Sequence, residues 1–155
     1  MFPIWIAIAF LSFVTLFFAV DLPKQKAAQT AVQVNHDVTS MLAYRKAVIS
    51  YLAANPSATG TITSAALASY WPLGYTNTGA RWSNYVDPGT AKLYIFSLSA
   101  ANNEILSRLH TLYGDPFFIG TRDSSGNFIS FNGLVNTPVP SAAGIVNQAV
   151  IIIGR

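Results

Sequence analysis

The sequence predicts an α+β protein. One N-terminal transmembrane helix continues into a long amphipathic helix, which packs on a small, mainly antiparallel sheet. Three observations carry this reading. The first twenty residues, MFPIWIAIAFLSFVTLFFAV, hold no charged side chain. From Lys24 to Asn55 there is neither glycine nor proline, and apolar residues recur at helical spacing. Beyond Gly79 the pattern changes to short β-branched and aromatic runs separated by turn residues.

A helix of twenty residues spans about 30 Å, the thickness of a bilayer's hydrocarbon core. In lipid the backbone must satisfy its own hydrogen bonds, which favours a helix. Pro3 fits the first turn, where its missing N–H would lack a partner anyway. The stretch carries no basic residue, and Phe18-Ala19-Val20 lacks the small-x-small pattern of a cleavage site. It is therefore expected to stay as an anchor, residues 1–20, ahead of a soluble domain, residues 21–155. Lys24 and Lys26 weakly favour a cytoplasmic placement of the following segment. The charge-poor remainder without cysteine points to the side away from the cytoplasm, and that placement is the expectation.

Asp21-Leu22-Pro23 is expected to end or kink the anchor, because Pro23 disfavours helical geometry at Leu22. An amphipathic helix over residues 24–54 follows. Its stripe runs Ala27, Ala31, Val34, Val38, Met41, Val48 and Leu52, with Arg45 in the one remaining register position. Gln29, Gln33, Asn35, His36, Asp37, Ser40 and Lys46 take the opposite face. This stripe either packs on its own domain or is shared with a partner. Ala27, Ala31, Val34 and Val38 are the candidate partner-binding residues, because small side chains near the membrane permit close helix approach.

Asn55 to Gly60 is a turn-rich stop. Thr63 to Tyr70 is expected as a short helix capped by Thr61 or Thr63, with Trp71 and Tyr75 plugging the core from an irregular segment. Residues 80–155 read as a meander with one inserted helix. Ala80–Val86 and Lys92–Leu98 are strands around an Asp87-Pro88-Gly89 turn. The helix opens at Ser99-Ala100-Ala101-Asn102, carries Ile105, Leu109 and Leu112 as its apolar face and Glu104–Arg108 as an exposed pair, and stops at Gly114. Phe117–Thr121 and Asn127–Phe131 form a hairpin, Asn132-Gly133 turns, and Ile145 to Ile153 is a strand covered on both faces.

The chemistry-bearing residues are sparse. Nine Lys/Arg and six Asp/Glu are scattered, so the net charge of +3 forms no nucleic-acid patch. With no cysteine, disulfides, thiolate metal sites and a thiol nucleophile are excluded. No nucleophile elbow, zinc helix or phosphate loop occurs. His36 and His110 fall outside the apolar stripes and are expected to face solvent, and adjacent His36 and Asp37 are not expected to meet. Asp123 to Asn127 lacks the oxygens of a calcium loop. No catalytic residue, cofactor or metal is expected.

The layout is similar to that of type IV pilins, although position 5 is Trp5 and no glutamate precedes Glu104. In its MFPIWIAIAFLSF opening, its MLAYRKAVISYL helix and its IVNQAVIIIGR ending the chain more closely resembles the PilM family of type IVb (thin) pilus systems. The resemblance implies an inner-membrane component of a pilus assembly apparatus, serving conjugation or adhesion. Its partners would be other inner-membrane or periplasmic pilus proteins, the lipid bilayer and a second copy of itself, with no nucleic acid. The other readings are a minor pilin or pseudopilin within the fibre and, more remotely, a membrane-tethered enzyme.

Overall fold

The computed structural model describes residues 2–75, 81–100 and 103–154. The elements are helix α1 (Phe2–Ala54), strands β1 (Trp82–Val86) and β2 (Leu93–Ser97), and helix α2 (Asn103–Tyr113). Strands β3 (Ile119–Arg122), β4 (Asn127–Ser130), β5 (Asn136–Pro138) and β6 (Val150–Ile153) follow. The chain divides into two compact units between Val34 and Asn35.

The first unit is the leading part of α1. Its apolar side chains are bare: Ile4, Trp5, Phe10, Leu11 and Phe13 are each about two-thirds or more exposed. The two hydroxyls of the run are turned inward. Ser12 donates to the Ile8 carbonyl at 2.8 Å and Thr15 to the Leu11 carbonyl. The outer surface of the run is thus apolar all round. Among the described residues this is the one helix long and apolar enough to cross a membrane.

Helix α1 continues through Pro23, so of the expected end or kink at Asp21-Leu22-Pro23 the end is corrected. Proline removes one helical hydrogen bond and crowds the preceding turn, at a cost of about 3 kcal/mol. Long helix-competent stretches on both sides outweigh that local penalty. The stop at Ala54 is where the turn residues place it: Asn55 folds back, its backbone N–H and its side-chain amide both donating to the Tyr51 carbonyl.

The second unit carries the core. Among the described residues six strands form one antiparallel sheet in the order β1-β2-β6-β3-β4-β5. It is not a simple meander, because the last strand enters the middle, pairing β2 on one side and β3 on the other. Val150, Ile151 and Ile152 are at most 1% exposed, as the apolar run requires. The strand is shorter than expected. Gln148 adopts φ 60°, and its N–H donates to the Arg122 carbonyl, so residues 145–149 turn before β6 begins.

Register assigns the two faces. Asn84 pairs Ile95, Ile95 pairs Ile152, and Ile152 pairs Ile119, so these share one face. The α1 residues of this unit cover it, through Val38, Met41, Tyr44, Ala47, Val48 and Leu52. The opposite face holds Tyr85, Tyr94, Phe96, Phe128 and Ile151, covered by Ala143, Ile145 and Ala149. A fully buried Ile or Phe contributes roughly 2 kcal/mol, so both layers matter to stability.

Smaller expectations are sharpened. Residues 63–70 form turns and a short 3₁₀ segment, Ala68–Tyr70, rather than an α-helix. Thr63 Oγ1 accepts from the Ala66 N–H at 3.3 Å in the preceding turn, but Leu67 holds the N-cap position of the 3₁₀ segment and no side chain caps it. Trp71 and Tyr75 are half-buried. The expected strand start at Ala80, the loop over 76–79 and the helix-opening residues Ala101 and Asn102 lie outside the described residues. In α2 Leu109 is fully buried but Leu112 is half exposed, and Gly114 ends the helix at φ 77°. Arg108 Nε donates to Asn35 Oδ1 at 2.7 Å, tying α2 to α1.

The β1–β2 turn is held by Asp87, whose carboxylate accepts from the Thr90 hydroxyl at 2.5 Å and the Gly89 N–H at 3.2 Å. The Thr90 bond first, and the Gly89 bond second, hold this carboxyl below the ordinary carboxylate range. A depressed pKa contributes stability above the ordinary value, and that contribution is lost as pH falls through the folded value. Asp87→Ala is therefore expected to lower the thermal midpoint slightly at neutral pH. The gap to the parent should close as the solution is acidified below the carboxylate range. A gap independent of pH would remove the carboxylate from this role.

Candidate functional site

The four candidate partner-binding residues separate. Ala27 and Ala31 are exposed. Val34 is 8% exposed and Val38 0%. Val38 is thus part of the domain's own core and offers no surface to a partner, which corrects its proposed role. The heptad stripe has two fates along one helix: from Val38 onward it is consumed by the sheet, while Ala27 and Ala31, with exposed Val32 between them and Val34, stay on the surface.

Sequence reasoning missed a polar seam between α1 and β1. Asp37, Ser40 and Tyr44 project from successive turns of α1. Asp37 is 8% exposed and pairs with Arg81. Ser40 Oγ accepts from Trp82 Nε1 at 2.9 Å and lies 3.3 Å from the Tyr75 hydroxyl. Tyr44 Oη accepts from Asn84 Nδ2 at 2.7 Å. Asn84, fully buried, also donates to the Ile62 carbonyl and accepts from the Ile62 N–H, both at 2.9 Å. Its side chain thereby mimics a paired strand and extends the seal begun by the Gly60–Val86 bridge. The alternation of ARWSNYV was the one sequence signal for this seam, since it points Trp82 and Asn84 to one face.

The rings close the seam. Tyr44, Trp71 and Tyr75 pack in series with centroids 5.7 and 5.2 Å apart. Burial raises the Tyr75 hydroxyl above its ordinary pKa, with the Ser40 hydrogen bond opposing. A cleft of about 370 Å³ opens beside the seam, lined by His36, Thr39, Ser40, Gly74, Tyr75 and Arg81. His36 Nδ1 stands 3.5 Å from Asp37 Oδ1, so these neighbours do meet, contrary to expectation. Asp37 turns inward toward Arg81, which brings its carboxylate within reach of the largely exposed imidazole. His36 faces solvent as expected, whereas His110 is half-buried and stacks on Phe131 with ring centroids 4.5 Å apart. Arg45, in the apolar stripe, sits half-buried with its guanidinium carbon 5.0 Å from the Tyr113 ring centroid.

Chemically, the seam is a clamp. Ser40 is engaged by two partners, and Asp37 is paired with a permanent cation. No group of three His, Asp or Glu side chains suited to a metal occurs among the described residues. The second unit is therefore an α+β domain whose buried polar residues hold residues 37–44 of α1 against β1, and the first unit is an apolar helix left unburied.

The comparisons with known proteins agree with that outline. The PilM family model matches residues 6–153, and the chain belongs to the PilM family. Its role is accordingly pilus-related. A crystal structure of the PilM protein from Escherichia coli B7A is similar, with a TM-score of 0.59 at 18% identity, covering 81% of this chain and 94% of that one. At that identity it speaks for the fold. No curated protein matches the chain.

Proposed function

We propose that this chain is a membrane-anchored, non-enzymatic component of a type IVb pilus assembly apparatus. Residues 2–20 hold it in the bacterial inner membrane as a single span, with the sheet domain in the periplasm. It acts by recruiting other pilus assembly proteins, in systems serving conjugation or adhesion. The observation that carries this reading is the course of α1. Apolar side chains stand bare through Phe18, and the small residues Ala27 and Ala31 stay exposed on the same unbroken helix before the core begins at Val38. Bare apolar surface of that extent belongs against lipid or another protein, and small residues allow a partner helix to approach closely.

The test is recovery of the complex. Ala27→Glu with Ala31→Glu is expected to cut co-purification of partner pilus proteins from cross-linked membranes by at least tenfold. The variant itself should stay in the membrane fraction with its thermal midpoint unchanged, since both positions are exposed. Undiminished recovery would overturn the assignment of this surface. Finding the processed chain in sheared fibres would overturn the assembly reading in favour of a minor pilin.

A further inference from the structure

A second cleft, of about 520 Å³, lies on the sheet face turned away from α1. Its cationic member is Arg122, at the end of β3. One wall is the β3–β4 turn with Ser125, and the other is formed by Pro138, Pro140 and Ser141 with Ile145 beneath. The size suits two or three residues of an extended peptide.

The charges in this cleft differ from those at the α1 seam. There Arg81 is neutralised by Asp37. Here Arg122 donates from Nη1 to Asn147 Oδ1, a neutral acceptor. Among the described residues no carboxylate pairs with it. The adjacent Asp123 is turned into its own loop, where Oδ1 accepts from the Asn127 N–H at 2.7 Å. Among the described residues no acidic residue lines the cleft, while Ser125 and Ser141 do. A guanidinium holds five N–H donors in a planar fork that fits a carboxylate with two parallel bonds. Among the described residues its side-chain partner is the neutral Asn147 amide, which leaves most of that fork available.

We propose that this cleft binds a carboxylate carried on a peptide segment, either a chain's C-terminus or an Asp or Glu side chain. Arg122 takes the carboxylate, the two serines donate to it or to the adjoining peptide group, and Pro138, Pro140 and Ile145 support the neighbouring side chain. The inference deepens the protein-recruitment reading above and rests on it, but on a surface separate from Ala27 and Ala31. Loss of binding here with membrane complexes intact would therefore defeat this inference alone.

The experiment titrates the detergent-solubilised full chain with three acetylated peptides, followed by amide and arginine side-chain NMR. They are Ac-Ala-Ala-Ala with a free C-terminus, Ac-Ala-Asp-Ala-amide and Ac-Ala-Ala-Ala-amide. One or both carboxylate peptides should shift the Arg122 Nε–H and the Ser125 and Gly126 amides, and which of them does so identifies the source of the carboxylate. The uncharged peptide should not. Arg122→Gln should weaken binding at least tenfold, and Ser125→Ala severalfold, with the amide spectrum otherwise preserved. Equal binding of the uncharged peptide, unchanged binding by Arg122→Gln, or no shift with any peptide would overturn the proposal. Inorganic phosphate binding as tightly as the peptides would overturn it as well, leaving a general anion site.

Discussion

Gly120→Ala is expected to leave the sheet domain unable to fold stably. Gly120 lies in β3 between β4 and β6, paired with Ser130 and Ile151. A Cβ at this position would lie 2.0 Å from the Ile129 carbonyl oxygen and 2.7 Å from Phe128 Cε2. The ring could tilt, but the carbonyl belongs to the backbone of the neighbouring strand. Relief would require β3 and β4 to separate by more than 1 Å, and β6 blocks retreat on the other side. Phe128 is fully buried and takes the space a side chain would fill, an aromatic ring covering a strand glycine. Ordinary overpacking costs about 1–3 kcal/mol, and a clash with backbone belongs in the rarer class above about 4. Against a total stability of about 5–15 kcal/mol, the thermal midpoint should fall by roughly 10 °C or more. Gly133→Ala is the control. That glycine has φ 71° but open space around it, so its cost is conformational only, about 1 kcal/mol. A Gly120→Ala variant melting within about 2 °C of the parent would refute the packing described.

The second large effect is expected at Asn84. Asn84→Leu keeps the approximate size but strands the Ile62 N–H, the Ile62 carbonyl and the Tyr44 hydroxyl, all bonded to the Asn84 amide. A buried polar group without its partner costs about 1–3 kcal/mol. Three of them imply about 3–9 kcal/mol, reduced where water reaches the edge. Tyr44→Phe removes one of the three bonds and should cost about 1 kcal/mol. Urea unfolding measures both variants. Amide exchange locates the effect: the Ile62 N–H should lose its protection in Asn84→Leu and keep it in Tyr44→Phe. Equal losses in the two variants would show that the Asn84 amide does not seal the sheet edge.

These two residues also show where sequence reasoning stopped. Gly120 sits in a β-rich run, FFIGT, that reads as a strand with or without knowledge of its neighbours. Only the register that brings Phe128 across it explains why the residue is glycine. Asn84 looks like an ordinary polar position in a weak alternation, because its partners Tyr44 and Ile62 are 40 and 22 positions away. Asp37 was assigned to the solvated face for the same reason, its partner Arg81 being 44 positions off. Arg122 drew no notice, since an arginine in a turn is usually solvated. What marks it is the lack of an acidic partner among the described residues, a property of the surroundings rather than of the residue.

Local physics was enough for the rest. Uninterrupted apolar content made the leading helix legible, the four-three spacing made its continuation legible, and Asn55-Pro56 marked its end. The turns at Asp87-Pro88-Gly89, Gly114 and Asn132-Gly133 all lie where their conformational preferences put them. The doubly covered character of Val150–Ile153 followed from its composition. These are properties of short windows, in which each residue's preference acts on near neighbours. The insertion of β6 between β2 and β3 and the division of the stripe into exposed Ala27 and Ala31 and buried Val38 were decided by tertiary structure. Each depends on free energy gained between segments distant in the chain, which exceeds the local preferences that a sequence displays.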